Sequence, residues 1–124
     1  MEVQPDPVRE AIRRLRDHVQ WKPGKAHQHL AKRIALGHLP LHTTVAEYEA
    51  LIHRVIHTAA AEVWVYRWGE HFYPTVVTEM DGLRWLVMLS LDGIMETAFP
   101  PEDPETYLVD TRFTRVGTIE ELGL

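Results

Sequence analysis

Apolar side chains recur at helical spacing through the first half of the chain, which predicts three amphipathic helices. The first begins at Asp6, an acidic N-cap followed by a proline, and the segment Trp21–Gly24 separates it from the second. The second covers about residues 25–36 and ends at Gly37, which suits a left-handed C-terminal residue. The third starts at the Thr44–Glu47 capping box and runs to about residue 60. Its predicted core face consists of Tyr48, Leu51, Ile52, Val55, Ile56 and Ala59.

From Glu62 onward the chain consists of short segments rich in Val, Trp, Tyr and Phe, which predict β-strands. Asp81-Gly82 and Asp92-Gly93 predict two-residue type I′ turns, because both central residues of such a turn have positive φ. These loops would place Met80 opposite Leu83 and Leu91 opposite Ile94. The same register places a mixed set of side chains on one sheet face: Glu79, Arg84, Leu86, Met88, Thr97 and Phe99.

Helices followed by strands predict an α+β fold, with about three N-terminal helices packed on a four- to five-stranded antiparallel meander sheet. A chain of 124 residues fits one domain, residues 1–124. Within it the helices would cover about 6–60 and the sheet about 62–119. A core of ordinary size can form at this length without covalent cross-links.

Composition excludes several classes of protein. The chain has 45% apolar and 25% charged residues, as globular proteins do, and it contains no cysteine. Disulfides, thiolate nucleophiles and cysteine-based zinc sites are therefore excluded. No apolar run approaches the roughly 18 residues of a membrane span, and the first residues lack the apolar stretch of a signal peptide. A soluble, cytoplasmic protein without a membrane partner is expected.

The net charge of −5 is unevenly distributed. Residues 1–60 carry nine Lys/Arg against six Asp/Glu, whereas residues 61–124 carry four against twelve. Seven of the eight histidines also lie in the first half. A basic footprint for nucleic acid could therefore come from the helical half alone. An ordinary solvated mixture of surface charges is the alternative.

The densest group of polar side chains lies on the second helix. At 100° per residue, Lys25, His29, Lys32 and Arg33 fall on one side of it. Neighbouring cations favour the neutral imidazole, which can accept a proton near pH 7. A histidine base with Lys or Arg holding a phosphate is what cleavage of a phosphodiester through a ribose 2′-hydroxyl requires. The alternative is a solvated basic helix face.

The other histidines predict no metal or cofactor site. His53 and His57 lie four residues apart, but the glutamate of an HExxH motif is missing and their side of the helix is opposite the apolar one. His38 and His42 flank a short loop whose intervening residues offer no metal ligand. A metal-dependent hydrolase is therefore disfavoured by spacing.

Three features of the predicted sheet leave two interpretations open. Thr97 is either a strand threonine or a hydroxyl that binds a phosphate oxygen. Arg84 either joins it at the phosphate or forms a cross-strand ion pair with Glu79. An aromatic row, Trp64, Tyr66 and Trp68, either belongs to the core or stacks unpaired bases.

Four stretches in order, covering most of the chain from residue 25, resemble a group of small bacterial and phage-associated domains: KAHQHLAKRIALGHLP, TTVAEYEALIHRVI, AEVWVYRWGEHFY and RWLVMLSLDGIMETAFPPEDPETYL. That group is similar to the nuclease superfamily containing barnase, EndoU, the colicin tRNases and RelE. The resemblance implies N-terminal helices packed on an antiparallel sheet. It also implies metal-independent cleavage of RNA through a 2′,3′-cyclic phosphate, and a dedicated inhibitor protein where the enzyme is a toxin.

The resemblance further implies roles for individual residues. His29 would be the helix-borne general acid or base and His38 the second one, with Lys32 or Arg33 on the phosphate and Arg84 and Thr97 as sheet-face partners. If so, the His29 and Thr97 side chains should lie within about 6–10 Å of each other, because both must reach one phosphate by hydrogen bonds.

The main alternative is a non-catalytic protein-binding module, either an inhibitor or an inactive nuclease homologue. Both faces of the strand pair 83–99 are apolar, so a second protomer could cover one of them to form a homodimer. A large exposed apolar patch without a polar cleft would favour this interpretation.

Overall fold

The computed structural model describes residues 4–124, and residues 1–3 of the predicted domain lie outside the described residues. The predicted α+β class is confirmed. Among residues 4–124, no helix is both long and apolar enough to cross a lipid bilayer. The elements in chain order are α1 (Pro5–Asp17), β1 (Gln20–Trp21), α2 (Lys25–Ala35), α3 (Val45–Ile56), β2 (Glu62–Trp68), β3 (His71–Met80), β4 (Leu83–Leu89), β5 (Ile94–Phe99), α4 (Pro104–Leu108) and β6 (Phe113–Thr118).

The N-terminal boundaries of α1 and α3 differ in how well local sequence predicts them. Helix α1 begins two residues early, with Gln4 at the N-cap, so the prediction of Asp6 as N-cap is wrong. A proline at residue 5 already suits the first helical turn, and Asp6 instead pairs with Arg9. The capping box of α3 is confirmed: the Glu47 N–H donates to Thr44 Oγ1 at 3.1 Å, and the Thr44 N–H donates to Glu47 Oε1 at 3.0 Å.

The sheet differs from the predicted antiparallel meander of four or five strands. Within residues 4–124 it has six strands in the order β1-β5-β4-β3-β2-β6. Strands β2 to β5 form the predicted meander, but β6 returns to pair with β2, and β1 pairs parallel with β5 through Gln20↔Ile94 and Trp21↔Met95. A two-residue strand is too short to carry a periodic signal, so the sequence showed this segment as a helix break.

The first hairpin has the predicted turn and register. Asp81 and Gly82 have φ of 54° and 83°, as a type I′ turn requires, and Met80 lies opposite Leu83. In the second hairpin the Ser90 N–H donates to the Ile94 carbonyl, so the loop has three residues and the predicted pairing of Leu91 with Ile94 is wrong.

The longer loop has the backbone of a three-residue turn: of the Asp92-Gly93 pair only Gly93 has positive φ, 81°, and its N–H donates to the Ser90 carbonyl at 3.0 Å. Gly93 packs against α1 so closely that a Cβ there would come 2.8 Å from the Arg14 Cβ. A β-bulge after Met88 then restores the predicted pairing of Met88 with Thr97 and of Leu86 with Phe99. Thr97 and Phe99 therefore share the predicted sheet face.

Both faces of the sheet are covered by the chain itself. Helices α1 and α3 cover one face, where Ile12, Ile52 and Val87 are fully buried. The segment containing α4 and the start of β6 covers the other, and its Leu108 and Phe113 pack with a second cluster of sheet residues: Val77, Leu86 and Met88. This covering accounts for the apolar strand pair 83–99 that motivated a second protomer.

Candidate catalytic site

Helix α2 packs on the protein through a side that combines apolar and polar residues: Leu30 belongs to the core, Arg33 is buried and His29 is half-buried. The pairing of β1 with β5 and the turn at Gly24, with φ of 76°, place the start of α2 beside the edge of the sheet. The helix buries Leu30 and Arg33 and leaves Lys25 and Lys32 exposed. The side of α2 that carries the candidate residues therefore lies next to β5. Only part of that side faces solvent.

The His29 and Thr97 side chains, separated by 68 residues in the chain, lie in contact. His29 Nδ1 is 3.5 Å from Thr97 Oγ1, at the outer limit of a hydrogen bond and closer than the separation of about 6–10 Å expected from the sequence. If Nδ1–H donates to the hydroxyl, Nε2 carries a lone pair and can accept a proton. The threonine hydroxyl keeps its own hydrogen to donate to another acceptor.

The surroundings of His29 favour its neutral form. Burial, followed by the charges of Arg33, Lys25 and Lys32, holds the pKa of His29 below its ordinary value, and the carboxylate of Glu96 opposes them. The sequence predicted the cations, but burial has the larger effect. Near pH 7 the imidazole is therefore available as a proton acceptor.

Arg33 is a buried cation that lacks a counter-ion within the described residues. Arg33 is only 3% exposed, and its Cζ lies 5.4 Å from the centre of the Phe99 ring. Neither Nε nor Nη1 has a hydrogen-bond partner among residues 4–124. The phenol of Tyr48 is nearby, but burial raises its pKa to about 12, so it is neutral at pH 7. Burial lowers the pKa of Arg33 itself, although a guanidinium stays protonated.

Arg33 also lines a groove of about 710 Å³ between the end of α2 and the start of β4. The groove is lined by Lys32, Arg33, His38 and Arg84 and by the apolar side chains of Leu36, Leu83 and Phe99. Burial and the charge of Arg33 lower the pKa of His38. His38 Nδ1 is buried and, within the part of the chain that the structure describes, has no hydrogen-bond partner.

The six predicted residues therefore fall into two adjoining sets. His29 and Thr97 form one pair, and Lys32, Arg33, His38 and Arg84 line the groove. Arg33 connects the sets, because its charge acts on both histidines. Arg84 is partly neutralised, since its guanidinium binds Glu62 on β2 and not its cross-strand neighbour Glu79.

The remaining candidates are not drawn into this site. In the described range 4–124, no group of three His, Asp or Glu side chains is arranged to hold a metal ion. Of the aromatic row on β2, Trp64 and Tyr66 are half-buried in the second cluster, whereas Trp68 is 58% exposed at the opposite edge of the sheet. Arg112 lies over the rings of both Tyr66 and Trp68.

Two residues beside the site, Trp21 and Tyr48, were not candidates in the sequence. Tyr48 followed the core periodicity of α3, and its hydroxyl donates to the Ala98 carbonyl of β5. Trp21 read as part of a helix break, and its ring lies 5.6 Å from the ring of His29. A turn-like Trp-Lys-Pro-Gly segment carries no local signal that its first residue contacts a helix that follows it.

No protein-family model, curated protein or solved structure matches this chain. The resemblance to the barnase–EndoU–colicin–RelE superfamily therefore stays a sequence-based expectation, and the function of the site rests on its geometry.

Proposed function

We propose that this protein is a metal-independent RNA endonuclease that cleaves through a 2′,3′-cyclic phosphate. The observation that carries the proposal is the position of Arg33, a buried guanidinium without a counter-ion in residues 4–124, whose charge reaches both His29 and His38. An unpaired buried cation is costly, and a phosphate bound beside it would compensate its charge. The two imidazoles would then flank the bound phosphate.

In the proposed reaction His29 is the base and His38 the acid. His29 Nε2 takes the proton of the ribose 2′-hydroxyl, whose oxygen attacks the phosphorus. The new P–O2′ bond forms as the P–O5′ bond breaks, and His38 gives a proton to the departing 5′-oxygen. The products are a 2′,3′-cyclic phosphate and a 5′-hydroxyl end. DNA cannot follow this route, because it lacks the 2′-hydroxyl.

The remaining groups stabilise the phosphate. Arg33 supplies positive charge to the phosphate oxygens from a buried position, where electrostatic interactions are stronger than in water, and the exposed Lys32 adds charge from the groove's surface. Thr97 accepts the Nδ1–H of His29 and donates its own hydrogen to a phosphate oxygen. Arg84 contributes less to the phosphate than a free cation would, because its guanidinium is already paired with Glu62.

The charge distribution supports an anionic substrate in a protein whose net charge is −5. The groove is lined by three cations, Lys32, Arg33 and Arg84, and by one carboxylate, Glu102. A local excess of positive charge attracts a polyanion even where the whole chain is acidic.

The direct test is incubation of the purified protein with total RNA and tRNA in EDTA, beside His29→Ala and His57→Ala. We expect discrete fragments ending in cyclic phosphate. His29→Ala should reduce their formation by roughly 10²- to 10⁴-fold, the usual contribution of a general acid–base group. His57→Ala removes an exposed histidine at the C-cap of α3 and should retain activity.

Intact RNA after incubation with folded protein at several pH values would contradict the proposal. The non-catalytic binding module would then be the better interpretation, with the groove as its contact surface. Fragments that form equally in His29→Ala, His57→Ala and the unmodified chain would assign the activity to another group.

A further inference from the structure

Trp21 connects three elements that surround His29. Its ring lies 5.6 Å from the His29 ring and 5.7 Å from the Tyr48 ring, each at an interplanar angle of 32°. Its Nε1–H donates to Glu49 Oε2 of α3 at 3.0 Å, and its backbone pairs with β5 at Met95. The indole is therefore held from α3 and from β5 while it contacts the imidazole of α2.

We propose that Trp21 is a positioning residue for His29: its indole holds the imidazole against Thr97 with Nε2 directed toward the substrate. The proposal rests on the proposed function, because positioning matters for a base that must meet a 2′-hydroxyl. Trp21 touches neither the groove nor the reacting atoms.

The need for such a residue follows from the weak contact between the imidazole and Thr97. The Thr97 hydroxyl is 3.5 Å from His29 Nδ1, too far to fix the ring by itself. The aromatic contact with Trp21, at a centroid distance of 5.6 Å, is a second restraint on rotation of the ring. Trp21 lies in β1 and Thr97 in β5, and these two strands are paired. The pairing fixes the positions of Trp21 and Thr97 relative to each other.

The same contact affects the protonation of His29. The indole covers part of the imidazole, and burial is the largest cause of the lowered pKa of His29. An indole face also attracts an imidazolium, which would raise the pKa. Because burial is the first cause of the lowered pKa, we expect removal of the indole to raise the pKa of His29 toward its ordinary value.

The experiment compares Trp21→Ala, Trp21→Phe and Trp68→Ala in the full chain. The pKa of His29 is measured by NMR titration of its ring signals, and kcat and KM are measured on one RNA oligonucleotide. Trp21→Ala should raise the pKa of His29 and lower kcat by roughly tenfold to hundredfold, the size expected from misplacing a reacting group. KM should change less than about twofold, because substrate binding is retained.

The two other variants separate positioning from a general effect of losing an indole. Trp21→Phe keeps an aromatic ring and should recover most of kcat. Trp68→Ala removes an exposed indole that lies at the opposite edge of the sheet and should leave the pKa of His29 in place. If Trp21→Ala is not folded, Glu49→Leu removes the acceptor of the indole N–H from a partly exposed position and serves as the milder test.

The NMR measurement uses no RNA, so failure of the inference and failure of the proposed function are distinguishable. A folded Trp21→Ala, or failing that a folded Glu49→Leu, that keeps both the pKa of His29 and kcat would overturn the positioning role and leave the nuclease standing. A shifted pKa in a protein that cleaves no RNA would support the contact and overturn the nuclease. A change of KM alone would also overturn the positioning role, because it would assign Trp21 to binding.

Discussion

Helices α2 and α3 both carry histidines, and they use them differently. Helix α3 buries an apolar side, which includes Ile52 and Val55, and directs His53 and His57 outward. Those two rings stack at 5.8 Å, and His57 Nδ1–H donates to the His53 carbonyl at 2.7 Å, so the pair is engaged with its own helix. Helix α2 instead buries Arg33 and brings His29 against β5.

The difference comes from where each helix meets the sheet. Helix α3 lies on the sheet face, where an apolar stripe is required. Helix α2 lies at the edge that β1 and β5 form, so its polar side can contact strand residues such as Thr97. The contact between His29 and Thr97 in the candidate site therefore depends on the edge position of α2, and not on the number of histidines that a helix carries.

The largest expected effect is on the free energy of unfolding, which substitutions of a buried residue in α3 and in α2 should change in opposite directions. Ile52→Ala in α3 should lower the free energy of unfolding by about 2–5 kcal/mol, because it leaves a cavity in the core. Arg33→Met in α2 should raise it by about 1 kcal/mol, because it removes a buried charge that has no counter-ion in residues 4–124. Denaturant unfolding of the two variants and the unmodified chain measures both changes.

The Arg33→Met result must be accompanied by loss of RNA cleavage if Arg33 holds the phosphate. A gain of stability together with loss of function is typical of sites that carry uncompensated charge for a ligand. Loss of stability in Arg33→Met would contradict the comparison, because it would mean that the guanidinium has a stabilising partner in solution.

Local sequence could predict those parts of the fold whose determinants lie within a few residues. The capping box at Thr44 and the type I′ turn at Asp81 are such features, and both were confirmed. In the second hairpin only Gly93 of the Asp-Gly pair has positive φ, and the parallel β1–β5 pair depends on contacts between distant segments. No periodicity reports such contacts.

The same limit applies to the candidate site. Helical spacing could place His29, Lys32 and Arg33 on one side of α2, and strand register could place Thr97 and Phe99 together. The sequence pattern could not predict that Arg33 is buried, because charged residues are normally assigned to solvent. Nor could it separate His29 and Thr97 from the groove, since that depends on how α2 crosses the sheet edge.

The second expected effect tests whether the α2 histidine depends on its strand partner. Thr97→Val keeps the shape of the side chain and removes the hydroxyl that contacts His29 Nδ1. Loss of a hydrogen bond to a charged group costs about 1.5–3 kcal/mol in the transition state, so kcat should fall roughly tenfold to hundredfold. Steady-state kinetics on an RNA oligonucleotide measures this.

Thr114→Val, which alters an exposed threonine of β6, is the matched control and should retain kcat. Equal kinetics for Thr97→Val and the unmodified chain would show that His29 does not need the strand hydroxyl. The contact between α2 and β5 would then be structural.

The smallest expected effect concerns the pH dependence of cleavage. The pKa values of His29 and His38 are both lowered, in each case by burial first and then by the charge of Arg33. Both limbs of the pH–rate profile should therefore lie below the ordinary histidine value of about 6.5, and the rate should fall above it as the acid loses its proton. Rates measured at constant ionic strength from about pH 4.5 to 8 test this, because a general acid–base pair gives a bell-shaped profile.

Variants of the two helices separate the sources of that profile. Lys25→Ala removes one of the charges that lower the pKa of His29, so one limb should move to higher pH, whereas His57→Gln, at the C-cap of α3, should move neither limb.

The stability of the fold is linked to the same titration of His29. Because His29 binds its proton less readily in the folded state, its contribution to stability is present above about pH 6.5 and is lost as the pH falls through the lowered pKa. Cleavage should therefore be fastest in the pH range where the contribution of His29 to the free energy of unfolding begins to fall. A rate maximum above pH 7 would contradict the assignment of both histidines.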